Sequence, residues 1–100
     1  MIIYNVTVNI ENAYADEWLQ WMKEVHVPDV LRTGMFIGNN IFRILADEDS
    51  GGQSFSVQYT CENMKQYEAY REKFAPALQA QHSKKYKDRF VAFRTLLELV

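Results

Sequence analysis

The segment Trp18-Leu19-Gln20-Trp21-Met22-Lys23-Glu24-Val25-His26-Val27-Pro28-Asp29 holds the densest set of side chains that could do chemistry. It sets two indoles, an imidazole and a carboxylate along a predicted helix that runs into a proline. An imidazole in that position could shuttle a proton or hydrogen-bond a ligand. Asp29 could orient His26 from the other side of the ring. The plainer expectation is that Trp18 and Trp21 pack in the core and that His26 bonds nearby backbone, which residue statistics favour.

Arg94 is a second candidate. Alternation puts it on an otherwise uncharged sheet face, where a lone cation needs a partner. It could hold a carboxylate ligand, or pair with Glu98 or an acid of a neighbouring subunit; the ion pair is the favoured expectation. Tyr4 and Tyr59 fall on adjacent strands facing the helices. Their hydroxyls could line a pocket, although core packing with one satisfied hydroxyl is simpler. The candidate ligand-binding set is therefore His26, Asp29, Trp21, Tyr4, Tyr59 and Arg94, with no catalytic residue assigned. His26 and His82 stand alone, and no HxH, HExxH or CxxC string occurs, so no metal is expected. Gly51-Gly52 precedes a strand rather than a helix and does not form a phosphate cradle. Cys61, the single cysteine, is expected to be a small buried hydrophobe. No cofactor is expected.

The elements that must position these groups follow from periodicity. Ile2, Tyr4, Val6, Val8 and Ile10 alternate with Ile3, Asn5, Thr7 and Asn9, which predicts a strand. Asn12 could cap the next helix. Tyr14, Trp18, Trp21, Met22 and Val25 fall within about 100° of one another on a helix. Pro28 disfavours a helical Val27 and is expected to end or kink that helix, and Gly34 to stop any further turn. Residues 35–46 predict a second strand with Phe36, Phe42 and Ile44 on one face. Asp47-Glu48-Asp49-Ser50-Gly51-Gly52 predicts a hairpin loop. A third strand covers Gln53 to Thr60, with Phe55, Val57 and Tyr59 inward. A second helix begins near Glu62 with a stripe of Met64, Tyr67, Arg71, Phe74 and Leu78, and Pro76 either kinks it or starts a new helix. The final strand, Arg89 to Val100, is expected to turn Val91, Phe93, Leu97 and Leu99 to the core.

The order β-α-β-β-α-β predicts an α+β fold: a ferredoxin-like sandwich of a four-stranded antiparallel sheet with two helices on one face. The other face would carry Asn5, Thr7, Asn9, Ser54, Ser56, Gln58, Thr60, Ala92 and Arg94, with Ile37, Ile41 and Leu96. Solvated sheet faces usually draw on Lys and Glu. A neutral face of small residues suits being covered, and a homodimer is expected.

Composition narrows the function classes. A chain of 100 residues predicts one domain, residues 1–100, and 48% apolar residues suffice for a core. A net charge of −2, from 11 basic and 13 acidic residues, offers no field for a phosphate backbone, so no nucleic-acid partner is expected. The cluster Lys84-Lys85-Tyr86-Lys87-Asp88-Arg89 is expected to be a solvated helix terminus. No apolar run is long enough to span a bilayer, and the first residues lack the pattern of a secretory signal. With one cysteine, a cytoplasmic location is expected.

Three segments, Met1-Ile2-Ile3-Tyr4-Asn5-Val6-Thr7, the WxxWM…HxPD string from Trp18 to Asp29, and Ala92-Phe93-Arg94-Thr95, resemble a family of short bacterial proteins known only as a domain of unknown function. The resemblance spans essentially the whole chain. That family is similar in layout to the dimeric α/β-barrel group, which includes cofactor-free antibiotic-biosynthesis monooxygenases, muconolactone-isomerase-like enzymes and stress-responsive barrel proteins. The resemblance implies a ferredoxin-like protomer and a dimer, but no activity, because chemistry varies within the group. The residues leave three readings: a protein that binds or senses a small hydrophobic molecule; a cofactor-independent monooxygenase or isomerase-like enzyme acting on a hydrophobic carbonyl or aromatic compound; and an interaction module whose dimer surface is its function.

Overall fold

The computed structural model describes residues 1–45 and 51–100. Of the hairpin loop predicted over 47–52, residues 47–50 lie outside the described residues, as does Ala46 at the end of the predicted second strand, while Gly52 already belongs to a strand. The elements run β1 (Ile2–Glu11), α1 (Asn12–Trp21), a π-helical turn (Met22–His26), α2 (Val27–Leu31), β2 (Gly38–Arg43), β3 (Gly52–Cys61), α3 (Met64–Lys73), α4 (Ala75–Lys85) and β4 (Phe90–Glu98). The strands form one antiparallel sheet in the order β2-β3-β1-β4, and the helices cover one face of it. This is the α+β ferredoxin-like arrangement that the element order predicts.

The core lies between sheet and helices. Tyr4, Val8 and Ile10 of β1 and Phe55, Val57 and Tyr59 of β3 are buried there, as alternation predicts. Trp18 is fully buried and Met22 nearly so. Asn12 does not cap α1: Glu11 occupies that position and makes no side-chain cap bond. The cap appears instead on α3, where the Asn63 side chain accepts from the Gln66 N–H at 3.0 Å.

The first helix departs from the expected stripe at one residue. Val25 is 37% exposed, and His26 takes the inward position. The cause is the π-helical turn, in which the Val27 N–H bonds the Met22 carbonyl. One added residue per turn rotates everything beyond it by about 100°, so the core-facing position moves from Val25 to His26. Pro28 does not break the helix. Val27 stays helical, with φ −60° and ψ −47°, and Pro28 sits in the first turn of α2, where a missing N–H costs little. Gly34, at φ +77°, stops it as expected. The second helical region is broken rather than kinked. Phe74 leaves the helical region at φ −120°, and Pro76 opens α4. In place of Met64 and Arg71, which are exposed, this region buries Tyr70, Ala75, His82 and Tyr86.

Two strand phases also differ. Directly opposed residues share a face. Because Ile41 pairs with Val57, Ile41 faces the helices and Phe42, opposite Ser56, faces away. Phe36 still reaches the core because the chain from Gly34 to Ile37 is bent rather than extended. In β4, Val6 pairs with Arg94, Val8 with Ala92 and Tyr4 with Leu96, so these three face the helices. Val91, Phe93 and Leu97 face away with Thr7 and Asn5, the inverse of the expected arrangement. Both phases of β4 carry apolar residues, and only its register against β1 chooses between them.

A candidate small-molecule site between helices and sheet

A cavity of about 40 Å³ lies inside this layer. The sheet contributes Tyr4, Val6 and Val8 from β1, Val57 and Tyr59 from β3, and Phe90, Ala92 and Arg94 from β4. The helices contribute Met22, His26, Val30, Tyr70, Gln79 and His82. One water needs about 10–15 Å³ by this measure, so the space admits about three non-hydrogen atoms without movement of its walls.

An aromatic cluster stands at one end. The Trp21 ring stacks on His26 with centroids 5.1 Å apart, and His26 and His82 meet edge to face at 5.7 Å. The Trp18 indole N–H donates to His82 Nε2 at 2.9 Å. An indole only donates, so Nε2 is unprotonated and a neutral His82 carries its proton on Nδ1. Burial pushes the His82 imidazole down to about 4, with His26 and the Arg94 charge acting in the same direction. Burial also lowers His26 from its ordinary 6.5, with Gln81 and Asp29 pulling the other way. Both rings are neutral at pH 7. The Nδ1 of His26 is buried with no hydrogen-bond partner among the described residues, as is the hydroxyl of Tyr86. Such an orphaned group costs about 1–3 kcal/mol.

A tyrosine cluster stands at the other end. Tyr4 pairs with Tyr59 across the central strands and packs against Phe36, Tyr67 and Tyr70. Burial raises the Tyr59 and Tyr70 hydroxyls far above their ordinary value, which keeps them neutral donors. The Arg94 Nε donates to the Tyr4 hydroxyl at 3.0 Å. Arg94 therefore sits on the cavity side rather than on the helix-free face, and no ion pair to Glu98 forms among the described residues.

Of the six candidates, His26, Tyr4, Tyr59 and Arg94 line the cavity, and Trp21 backs it through His26. Asp29 does not bond the imidazole; its carboxylate pairs with Arg32 at the surface. His82 was missed by sequence reasoning, though its signal was available: Leu78, His82 and Tyr86 recur every four residues on one helical face. Cys61 is buried, as expected, and has no place in the cavity. Among the described residues, no group of three or more His, Cys, Asp or Glu is placed to hold a metal ion. No helix among them is long and apolar enough to cross a membrane.

Fold and cavity together define the class: a ferredoxin-like α+β protein with a small, mostly apolar chamber between helices and sheet. The chain belongs to the family described as Domain of unknown function (DUF4286), whose model matches residues 1–100. Among curated proteins, none matches the chain in sequence. Solved structures similar in fold include HapK from Hahella chejuensis, at a TM-score of 0.72 and 12% identity over 100% of this chain and 93% of that one. A dimeric ferredoxin-like protein from an uncultured marine organism matches at 0.72 and 14% identity over 100% and 95% of the two chains. A candidate antibiotic-biosynthesis monooxygenase from Bacillus cereus matches at 0.67 and 8% identity over 98% and 91%. At these identities the likeness is one of fold.

Proposed function

We propose that this protein is a cytoplasmic, homodimeric domain, folding as one unit over residues 1–100, that binds a small hydrophobic molecule in the cavity between helices and sheet. The observation that carries this reading is His26: a cavity-lining imidazole whose buried Nδ1 lacks a hydrogen-bond partner among the described residues. A bound molecule or an ordered water would satisfy it, and apolar walls of Val6, Val8, Val30 and Val57 suit the former. The test is a titration with small hydrophobic carbonyl compounds, read on the imidazole resonances of His26 and His82. Binding should shift both, and His26→Gln should weaken it about tenfold at a temperature where the variant, which also loses the ring packed on Trp21, is still fully folded. Matching losses of stability and binding would make His26 structural, and the absence of any responsive compound would remove the site.

The homodimer forms through the helix-free face. Two features of that face support it. Asn5, Thr7, Ser56 and Gln58 hydrogen-bond one another: Ser56 to Asn5, Asn5 to Thr7 at 3.1 Å and Gln58 to Ser56 at 3.3 Å. These bonds leave the Thr7 hydroxyl and one N–H of each amide without an acceptor, and an uncharged network of this kind can be covered when interfacial waters or the partner meet them. Beside it, Phe42 is 50% and Phe93 63% exposed, which is apolar area that gains by burial.

A second reading is a cofactor-independent monooxygenase or isomerase-like enzyme acting on a hydrophobic carbonyl or aromatic compound. The specific observation for it is the pair of cavity-lining imidazoles, His26 and His82, whose burial favours their neutral forms. His26 would accept a proton from bound substrate, and His82, donating from Nδ1, would polarise a carbonyl. The fold likeness to a candidate antibiotic-biosynthesis monooxygenase is compatible with this but does not carry it.

A further inference from the structure

Resting on the binding reading above, we infer that the cavity takes a small monocarboxylate, with its carboxylate on Arg94 and Tyr4 and a compact apolar tail inside. Arg94 is the sole residue with a formal charge among those lining the cavity, and no Asp or Glu is among them. Its Nε is engaged by Tyr4, and its terminal nitrogens have no carboxylate partner among the described residues. A guanidinium in a mostly apolar wall recruits an anion, and its planar fork fits a carboxylate through two parallel bonds.

Arg94 lies on the edge strand β4, and its side chain spans from the Tyr4 hydroxyl to solvent. An anion can therefore arrive at the strand edge still partly hydrated, leaving only its tail to enter. The Tyr4 hydroxyl, buried beside Arg94, is a second donor at that mouth. A cavity of about 40 Å³ admits a tail of about three carbons as it stands. The walls that tail meets are Val6, Val57, Ala92 and Met22. An imidazole of the cavity end, His26 or His82, then lies beyond the carboxylate near the tail.

Butyrate and butyramide test this, because they share a shape and differ in charge. Each is titrated at pH 7 into the full-length protein, with backbone and imidazole resonances as the readout. Butyrate should bind at least tenfold more tightly than butyramide. Arg94→Gln should reduce butyrate to the level of butyramide, and Arg94→Lys should keep part of the preference, which separates charge loss from misfolding. Equal affinity for the two probes, or undiminished butyrate binding by Arg94→Gln, overturns the carboxylate assignment while leaving the cavity as a binding site. Cavity resonances that respond to neither probe overturn both.

Discussion

Trp18 and His82, 64 residues apart in sequence, are joined by a buried hydrogen bond of 2.9 Å from indole Nε1 to imidazole Nε2. That bond ties α1 to α4 over the sheet and settles which nitrogen of His82 holds the proton. It makes Trp18 both a packing residue and the group that aims the second imidazole of the cavity.

Trp18→Ala should cost about 3–5 kcal/mol, the range for a buried large aromatic. That is a large share of the roughly 5–15 kcal/mol available to a small domain. Trp18→Phe keeps most of the packing but strips His82 Nε2 of its donor, and should cost about 1–3 kcal/mol for the orphaned acceptor. Urea denaturation of the three proteins gives both numbers. A Trp18→Ala melt that superimposes on the parent would remove Trp18 from the core.

Acid should destabilise the fold over a defined window. His82 titrates near 4 when folded and near 6.5 when unfolded. Between those values the unfolded chain binds a proton that the folded chain excludes, so stability falls as pH drops. This contribution is complete above about pH 6.5 and is lost progressively towards pH 4. Its size is on the order of 3 kcal/mol, and the lowered His26 acts in the same sense. His82→Gln should flatten the dependence of unfolding free energy on pH between 6.5 and 4. An unchanged slope would mean that carboxylates alone carry it.

The π-helical turn makes opposite demands on two neighbours. Val25 is turned to solvent, so Val25→Lys should change stability by no more than about 0.5 kcal/mol. Met22, 3% exposed, should cost about 2–5 kcal/mol on truncation to Ala. An uninterrupted α-helix would instead make Val25→Lys a core substitution. Thermal melts of the two variants decide between these arrangements.

The helix-free face should bury more than about 1,000 Å² in total in a dimer, the usual floor for a stable contact. Thr7 and Gln58 sit in its polar centre, and Phe93 lies opposite Thr7. Replacing Thr7 and Gln58 together by Glu should shift light scattering from dimer to monomer. Edge-to-edge pairing of strands would leave that double variant dimeric, and a parent protein that is monomeric at high micromolar concentration excludes the dimer.

Most of the element order is legible in the residues themselves. β1 and β3 have strict alternation, and Trp18 with Met22 lies on a helical stripe, so their types and inward faces follow from local periodicity. Tyr4 and Tyr59 face the helices for the same reason. His26 was visible as a candidate, but the periodic stripe pointed to Val25, because no local pattern announces the extra residue of a π-helical turn. The fate of Arg94 was the least legible. In β4 each phase offers apolar side chains, and a strand of that kind has no preferred face of its own. Its side was decided by the hydrogen-bond register with β1, which sets Arg94 opposite Val6 and brings its Nε to Tyr4, 90 residues away in sequence. Local composition thus determined strands, helices and a charge-poor sheet face. Tertiary pairing decided which side of β4 meets the cavity, and so whether the cavity has a cation at all.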